Sequence, residues 1–191
     1  MKFSPQVVIA TAILAVSAIS APVFAQATLT STQVLTLTAD GDGGFGAHVE
    51  KVFGAATTGK TFTDKFTFTL GSSFDTSATL TSAYLKSSNN VKDLTISSYD
   101  LYMYNTTSHS YVVAFAGVNN TVGKEDHWAI DGTNLQSGNY YLQVSGKVMG
   151  NKGGTYSGDM TLLPVPEPET YGMMLAGLGL LGFMARRKRA A

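Results

Sequence analysis

The chain contains no cysteine, which excludes a disulfide framework and any zinc site that depends on thiolate ligands. Arginine is also absent between residues 26 and 165, where eleven aspartates and glutamates outnumber eight lysines, for a net charge of −3. Such a segment lacks the positive surface that neutralises phosphate groups. We therefore expect no binding to nucleic acid.

The N-terminal region has no apolar run long enough to cross a membrane. Its run of apolar and small residues, 7–19, has thirteen residues, short of the roughly 20 that a spanning helix requires. One positive charge at Lys2 precedes this run, and small or aliphatic residues follow at Val23 and Ala25. This layout predicts a cleaved signal peptide over residues 1–25, whereas a membrane anchor or a buried helix fits its length less well.

The composition changes abruptly after Leu163. Three prolines within five residues interrupt regular structure and favour an extended, exposed connector. Fifteen uncharged residues follow, from Tyr171 to Ala185, and then a basic cluster formed by Arg186, Arg187, Lys188 and Arg189. A helix over the uncharged residues would be about 22 Å long at ~1.5 Å per residue, marginal for a membrane core of about 30 Å. We expect a transmembrane helix with its basic end on the cytoplasmic side.

Residues 164–191 together resemble a known sorting signal. Val165, Pro166, Glu167 and Pro168, then the glycine-rich apolar segment and the basic cluster, are similar in order and position to the PEP-CTERM signal of Gram-negative bacteria. The resemblance implies that the export machinery and an exosortase, a membrane-embedded cysteine transpeptidase-like enzyme, handle this protein. It also implies transient membrane insertion and processing near the Pro-Glu-Pro motif.

The same resemblance implies a location and a biological setting. The processed protein would reach the cell envelope, the cell surface or the extracellular space. Proteins with this signal are linked to exopolysaccharide, biofilm and floc formation. The alternative is a permanent single-span anchor, because the pattern of such a tail is similar.

Residues 27–163 have the composition of a β domain. Between residues 26 and 165, serine and threonine make up 35 of 140 residues, and no long apolar stripe of helical period is present. The pattern predicts one antiparallel β-sandwich of the Greek-key or jelly-roll type. The predicted strands are Val34–Ala39, His48–Phe53, Phe62–Leu70, Thr79–Lys86, Leu94–Tyr104, Tyr111–Ala116, His127–Ile130, Tyr140–Val148 and Thr155–Leu163.

The clearest strand pattern lies between Tyr140 and Val148. The buried face is predicted to carry Tyr140, Leu142, Val144 and Val148, and the wet face Tyr141, Gln143, Ser145 and Lys147. A glycine-rich connection, Met149–Gly154, follows. It predicts a hairpin, so that the last two strands would pair with each other.

A carboxylate interrupts an aromatic row at Asp64. Phe62, Asp64 and Phe66 share one face of their strand. Because an unpaired buried carboxylate costs several kcal/mol, we expect backbone N–H donors, a lysine partner or a position at the sheet rim. Phe62-Thr63-Asp64-Lys65-Phe66 also resembles the motif of the FxDxF group of PEP-CTERM proteins. We interpret Asp64 as structural, with a part in a ligand site as the alternative.

The sequence contains no recognisable catalytic or zinc motif. His109 is 61 residues after His48, and His127 is 18 residues after His109. None of the three lies in a nucleophile elbow or in a close histidine pair. We therefore expect no enzyme and no catalytic residue.

Calcium is the one cofactor for which the sequence leaves a candidate. Asp40 and Asp42 resemble the opening of a calcium loop, but the twelfth position from Asp40 is Lys51, where an EF-hand requires glutamate. A looser surface calcium site remains an alternative to a simple turn.

Tyr102 and Tyr104 are the candidate ligand contacts. They share one face of their strand, and exposed aromatic rings are common platforms for carbohydrate. Since the opposite face is also apolar, we favour their burial in a central strand. The sequence as a whole predicts a non-enzymatic surface or matrix protein associated with exopolysaccharide. The alternative is a carbohydrate-binding or calcium-assisted adhesion module.

Overall fold

The computed structural model describes residues 28–83, 92–120, 125–165 and 168–189. The predicted signal peptide, residues 1–25, therefore lies outside the described residues. The strands are β1 (Leu29–Val34), β2 (Thr38–Ala39), β3 (Phe45–Gly54), β4 (Thr61–Leu70), β5 (Phe74–Ser82), β6 (Leu94–Asn105), β7 (Ser110–Ala116), β8 (Val118–Asn119), β9 (His127–Leu135), β10 (Gly138–Val148) and β11 (Gly153–Pro164). A 3-10 turn spans Ala55–Thr57, and helix α1 spans Pro168–Arg189.

The strands form two sheets with jelly-roll order. Sheet A has the order β1-β4-β10-β6-β7, and sheet B has the order β2-β3-β11-β5-β9-β8. Without the flanking strands β1, β2 and β8, these are the two four-stranded sheets of a jelly roll. The described strand pairs are antiparallel apart from β1 with β4, which is parallel. The predicted all-β sandwich is confirmed.

Alternation along each strand builds the core between the sheets. The predicted buried face of β10 is confirmed, because Tyr140, Leu142, Val144 and Val148 are all at most 1% exposed. Sheet B contributes facing side chains such as Leu80, Tyr156 and Leu162 to the same cluster. Each large apolar side chain buried here stabilises the fold by about 1.5–3 kcal/mol. With no disulfide available, this packing holds the two sheets together.

The predicted strand Val34–Ala39 is wrong. β1 ends at Val34 in sheet A, and β2 begins at Thr38 in sheet B. Between them Leu35 is buried and its N–H donates to the Thr67 carbonyl at 2.8 Å. The apolar spacing of Leu35 and Leu37 imitates a strand, but it belongs to a segment that passes from one sheet to the other.

The predicted hairpin at Met149–Gly154 is also wrong. β10 pairs with β4 and β6, whereas β11 pairs with β3 and β5. The connection crosses the sandwich instead, and the N–H groups of Met149 and Gly150 donate to the Asp93 carbonyl at 2.8 and 2.9 Å. Gly153 has φ +94°, and a side chain there would collide with the Phe53 carbonyl.

Other strand boundaries differ from the prediction. β5 begins at Phe74 instead of Thr79, and the predicted end of that strand at Lys86 lies outside the described residues. β9 continues to Leu135 because Ile130 and Leu135 both reach the core.

Helix α1 contains the apolar segment and the basic cluster. Among the described residues, no helix combines the length and the apolar character needed to cross a membrane. The predicted transmembrane helix is not found among the described residues, and transient membrane insertion remains a prediction. The uncharged run has only fifteen residues, of which four are glycine, against the roughly 20 apolar residues that spanning requires.

Candidate functional site: the tyrosine face of sheet A

Four tyrosines lie together on the outer surface of sheet A. Tyr102 and Tyr104 of β6 point outward, because Leu101 and Met103, which alternate with them, pack into the core. Tyr141 of β10 is opposite Tyr102, and Tyr111 of β7 is opposite Tyr104. We name Tyr102, Tyr104, Tyr111 and Tyr141 the tyrosine face.

The four rings contact one another in a fixed geometry. Tyr102 stacks on Tyr141 with centroids 4.7 Å apart and an interplanar angle of 17°. Tyr111 reaches across the sheet to within 4.7 Å of the Tyr141 centroid, and Tyr104 meets Tyr111 edge-on at 5.2 Å. Lys65 places its Nζ 4.6 Å from the Tyr141 centroid. These contacts hold Tyr141 at 8% exposure and leave Tyr111 at 41%.

The environment raises the pKa of two of these phenols, Tyr102 and Tyr141. Burial raises the pKa of Tyr102, and the Asp100 carboxylate raises it further. Burial also raises the pKa of Tyr141, with added contributions from Tyr102 and Tyr111. At neutral pH the Tyr102 and Tyr141 hydroxyls are therefore neutral groups that can both donate and accept hydrogen bonds.

A groove of about 430 Å³ adjoins the tyrosine face. Thr67 and Thr69 of β4 and Asn139 of β10 supply its polar contacts, and Thr69 Oγ1 donates to Asn139 Oδ1 at 2.8 Å. Apolar contacts come from Val34, the last residue of β1, which is 83% exposed, from the segment that follows it and from the Tyr111 ring. The complete lining is Val34, Leu35, Leu37, Thr67, Phe68, Thr69, Tyr111 and Asn139. It contains no charged side chain.

The sequence-based prediction for Tyr102 and Tyr104 is correct only in part. They share one face as expected, but that face is the outer surface of sheet A, where both are partly exposed, and not the core. Tyr111 and Tyr141 were not recognised as their neighbours. The alternation along β10 did predict that Tyr141 lies on the outer face of its strand. Its position beside Tyr102, however, depends on the register of β10 against β6.

Asp64 lies inside the sandwich, away from the tyrosine face. It is 2% exposed and accepts hydrogen bonds from Ser31 Oγ and Tyr156 Oη, both at 2.7 Å. Lys51 Nζ donates in turn to Ser31 Oγ at 3.3 Å. The expectation of backbone N–H donors, a lysine partner or a position at the sheet rim is therefore wrong. Two hydroxyls satisfy the carboxylate instead, one from the adjacent strand and one from the opposite sheet.

The flanking phenylalanines of the Asp64 motif are core residues. Phe62 stacks on Tyr156 with centroids 5.8 Å apart and lies 4.5 Å from the Phe53 ring. Phe66 is 3% exposed. The motif therefore joins the two sheets at this end of the sandwich.

The Asp40 loop forms a turn. Oδ1 of Asp40 accepts hydrogen bonds from the N–H groups of Asp42 and Gly44, both at 2.9 Å. Within the described ranges, no group of three or more metal-binding side chains is close enough to hold an ion. The surface calcium site remains a prediction.

The three histidines are dispersed over the surface. His48 on β3 contacts Asp159 at 2.8 Å, and His127 on β9 contacts Thr81 at 2.9 Å. His109 lies in the turn before β7 with φ 51°. All three are exposed.

The predicted sorting residues lie at the junction of β11 and α1. The Val165 N–H donates to the Ser73 carbonyl at 3.3 Å, and Pro168 begins the helix. Pro166 and Glu167 lie outside the described residues. The backbone of the basic cluster, Arg186, Arg187, Lys188 and Arg189, forms the last turn of α1.

Comparison with known proteins identifies this C-terminal segment. Residues 164–189 match the family model of the PEP-CTERM protein-sorting motif, so the predicted PEP-CTERM signal is confirmed. Membership of the FxDxF group remains a prediction. No curated protein matches the chain.

The solved structures that match the chain include one with a weak likeness to it. It is the pre-peptidase C-terminal domain of a collagenase from Bacillus anthracis, with 16% identity and a TM-score of 0.36. The match covers 72% of this chain and 97% of that one. A likeness at this score carries no argument.

Proposed function

We propose that this PEP-CTERM protein is a non-enzymatic protein of the cell surface or extracellular matrix that binds exopolysaccharide through its tyrosine face. The match of residues 164–189 to the sorting motif supports export under the control of an exosortase. The role of the sandwich after sorting rests on the chemistry of the tyrosine face.

The tyrosine face has the properties that a polysaccharide requires. A sugar ring has an apolar C–H face that packs on an aromatic ring and hydroxyl groups that need hydrogen-bond partners. The exposed Tyr111 ring and the partly exposed Tyr102 ring supply aromatic surface, and the protonated Tyr102 hydroxyl supplies a donor and an acceptor. Because the rings already contact one another, binding costs little additional side-chain entropy.

Affinity electrophoresis in gels that contain exopolysaccharide from the host tests the binding. We expect the wild-type protein to be retarded and Tyr102→Ala to lose affinity about tenfold, because an aromatic contact contributes roughly 1 kcal/mol or more beyond its buried area. Thr79→Ala is the control, since Thr79 is exposed on the outer face of sheet B. If Tyr102→Ala and the wild type are retarded equally, the polymer does not bind at Tyr102.

A host without its exosortase tests the sorting. We expect the wild-type host to yield a shortened protein at the surface or in the medium, and the deficient host to retain the full-length chain with the cells. Identical mass and distribution in the two hosts would refute exosortase processing.

A further inference from the structure

We infer that the groove beside the tyrosine face binds one segment of a linear, uncharged polysaccharide, with Asn139, Thr67 and Thr69 as its polar contacts. The inference rests on the proposed function and adds a specific subsite and a class of ligand to it. The groove has about 430 Å³ of space, within the range of about 300–1,000 Å³ that is usual for small-ligand sites.

The lining excludes a charged ligand. None of the residues that line the groove carries a charge, and a charged group that loses water without a partner is strongly disfavoured. The nearby cation, Lys65, already contacts the ring of Tyr141 at 4.6 Å. An acidic polymer would therefore find no free cation within the groove lining itself.

The polar groups of the groove suit sugar hydroxyls. Thr69 Oγ1 donates to Asn139 Oδ1 at 2.8 Å, which orients the Asn139 amide. The amide nitrogen of Asn139 carries two N–H donors, and the hydroxyl oxygen of Thr69 retains acceptor capacity. Thr67 Oγ1 donates to the Gln33 carbonyl at 3.2 Å, so its oxygen also retains acceptor capacity for a ligand hydroxyl.

The apolar contacts of the groove suit the C–H faces of sugar rings. Tyr111 is shared with the tyrosine face and is 41% exposed, and Val34 is 83% exposed. A polymer that lies on the tyrosine face therefore continues into the groove along Tyr111. Because the groove is open to solvent and is not an enclosed cavity, an internal stretch of a chain fits without a free end.

Isothermal titration of the full-length protein with three probes tests the inference: dextran as a neutral polymer, alginate as an anionic polymer and the exopolysaccharide of the host. We expect a neutral polymer to bind and alginate to bind at least tenfold more weakly. Asn139→Ala and Val34→Glu should each weaken binding about tenfold. Thr79→Ala is the matched control on the opposite sheet and should bind as wild type does.

The variants separate the failure of this inference from that of the proposed function. Thermal melting confirms that each variant folds, and Val34→Glu changes a residue that is 83% exposed. If Tyr102→Ala weakens binding but Asn139→Ala and Val34→Glu do not, the groove is not a binding subsite. The proposed function would remain supported. Tighter binding of alginate than of dextran would overturn the inference that the ligand is uncharged. Absence of binding to all three polymers would overturn both.

Discussion

Tyr156 of β11 donates a hydrogen bond of 2.7 Å to Asp64 Oδ2 on β4, so that a hydroxyl of sheet B satisfies a buried carboxylate of sheet A. Asp64 is 2% exposed and Tyr156 is fully buried. The phenol ring also stacks on Phe62. One side chain therefore joins the sheets through both a hydrogen bond and an aromatic contact.

Tyr156→Phe should destabilise the fold although it keeps the ring. Removing the hydroxyl leaves Asp64 with one donor fewer in an apolar environment, and hydrogen bonds to charged groups contribute about 1.5–3 kcal/mol. Urea unfolding followed by circular dichroism measures the change. A free energy of unfolding equal to that of the wild type would mean that this hydrogen bond does not tie the sheets.

Tyr99→Phe, in contrast to Tyr156→Phe, should not lower the free energy of unfolding. Within the described residues, the Tyr99 hydroxyl is buried without a hydrogen-bond partner, and an unsatisfied buried hydroxyl costs about 1–3 kcal/mol. Its removal should leave stability unchanged or raise it. The same urea experiment compares the two variants, and a loss for Tyr99→Phe as large as that for Tyr156→Phe would contradict the contrast.

Stability should fall at alkaline pH. Burial raises the pKa of Tyr156 above the ordinary value of 10.0, and its hydrogen bond to Asp64 raises it further. Burial, followed by the Asp159 carboxylate, raises the pKa of Tyr99. Above pH 10 the unfolded chain releases protons that the folded protein retains. This stabilisation is therefore complete below pH 10 and is lost as the pH rises, by about 1.4 kcal/mol per pH unit for each tyrosine.

Unfolding midpoints between pH 8 and 11.5 measure this dependence. Tyr156→Phe should show a shallower decline above pH 10 than the wild type, because it has one buried phenol fewer. Parallel curves would show that Tyr156 ionises normally in the folded protein.

Tyr111→Ala should separate binding from stability. Tyr111 is 41% exposed, whereas Tyr141 is 8% exposed beneath its neighbours. We therefore expect Tyr111→Ala to weaken retardation by host exopolysaccharide about tenfold with a stability change within about 1 kcal/mol. Tyr141→Ala should lose both binding and stability. Full retardation of a folded Tyr111→Ala protein would exclude that ring from the site.

Local pattern was sufficient to predict the faces of the strands. The burial of Tyr140, Leu142 and Val144 follows from their spacing alone, because alternate residues of a strand lie on opposite faces. The same rule placed Asp64 in the aromatic row of β4. The sandwich could therefore be predicted from residues that are close together in the sequence.

Contacts between distant residues could not be predicted in this way. Neither the crossing of Met149–Gly154 between the sheets nor the partnership of Asp64 with Tyr156, 92 residues away, leaves a local signal. The tyrosine face required the register of β10 against β6, which brings Tyr141 beside Tyr102. β1 also escaped prediction because Ser31 and most of its neighbours are polar.

The mass of the mature protein recovered from its native host tests the central claim most directly. If residues 164–189 direct exosortase sorting, the C-terminus should lie near Pro166-Glu167-Pro168, and the polypeptide should lack Phe183 and the basic cluster. Intact-mass and C-terminal peptide spectra would show this loss together with any group attached there. Recovery of a surface protein that still ends after Arg189 would contradict the account.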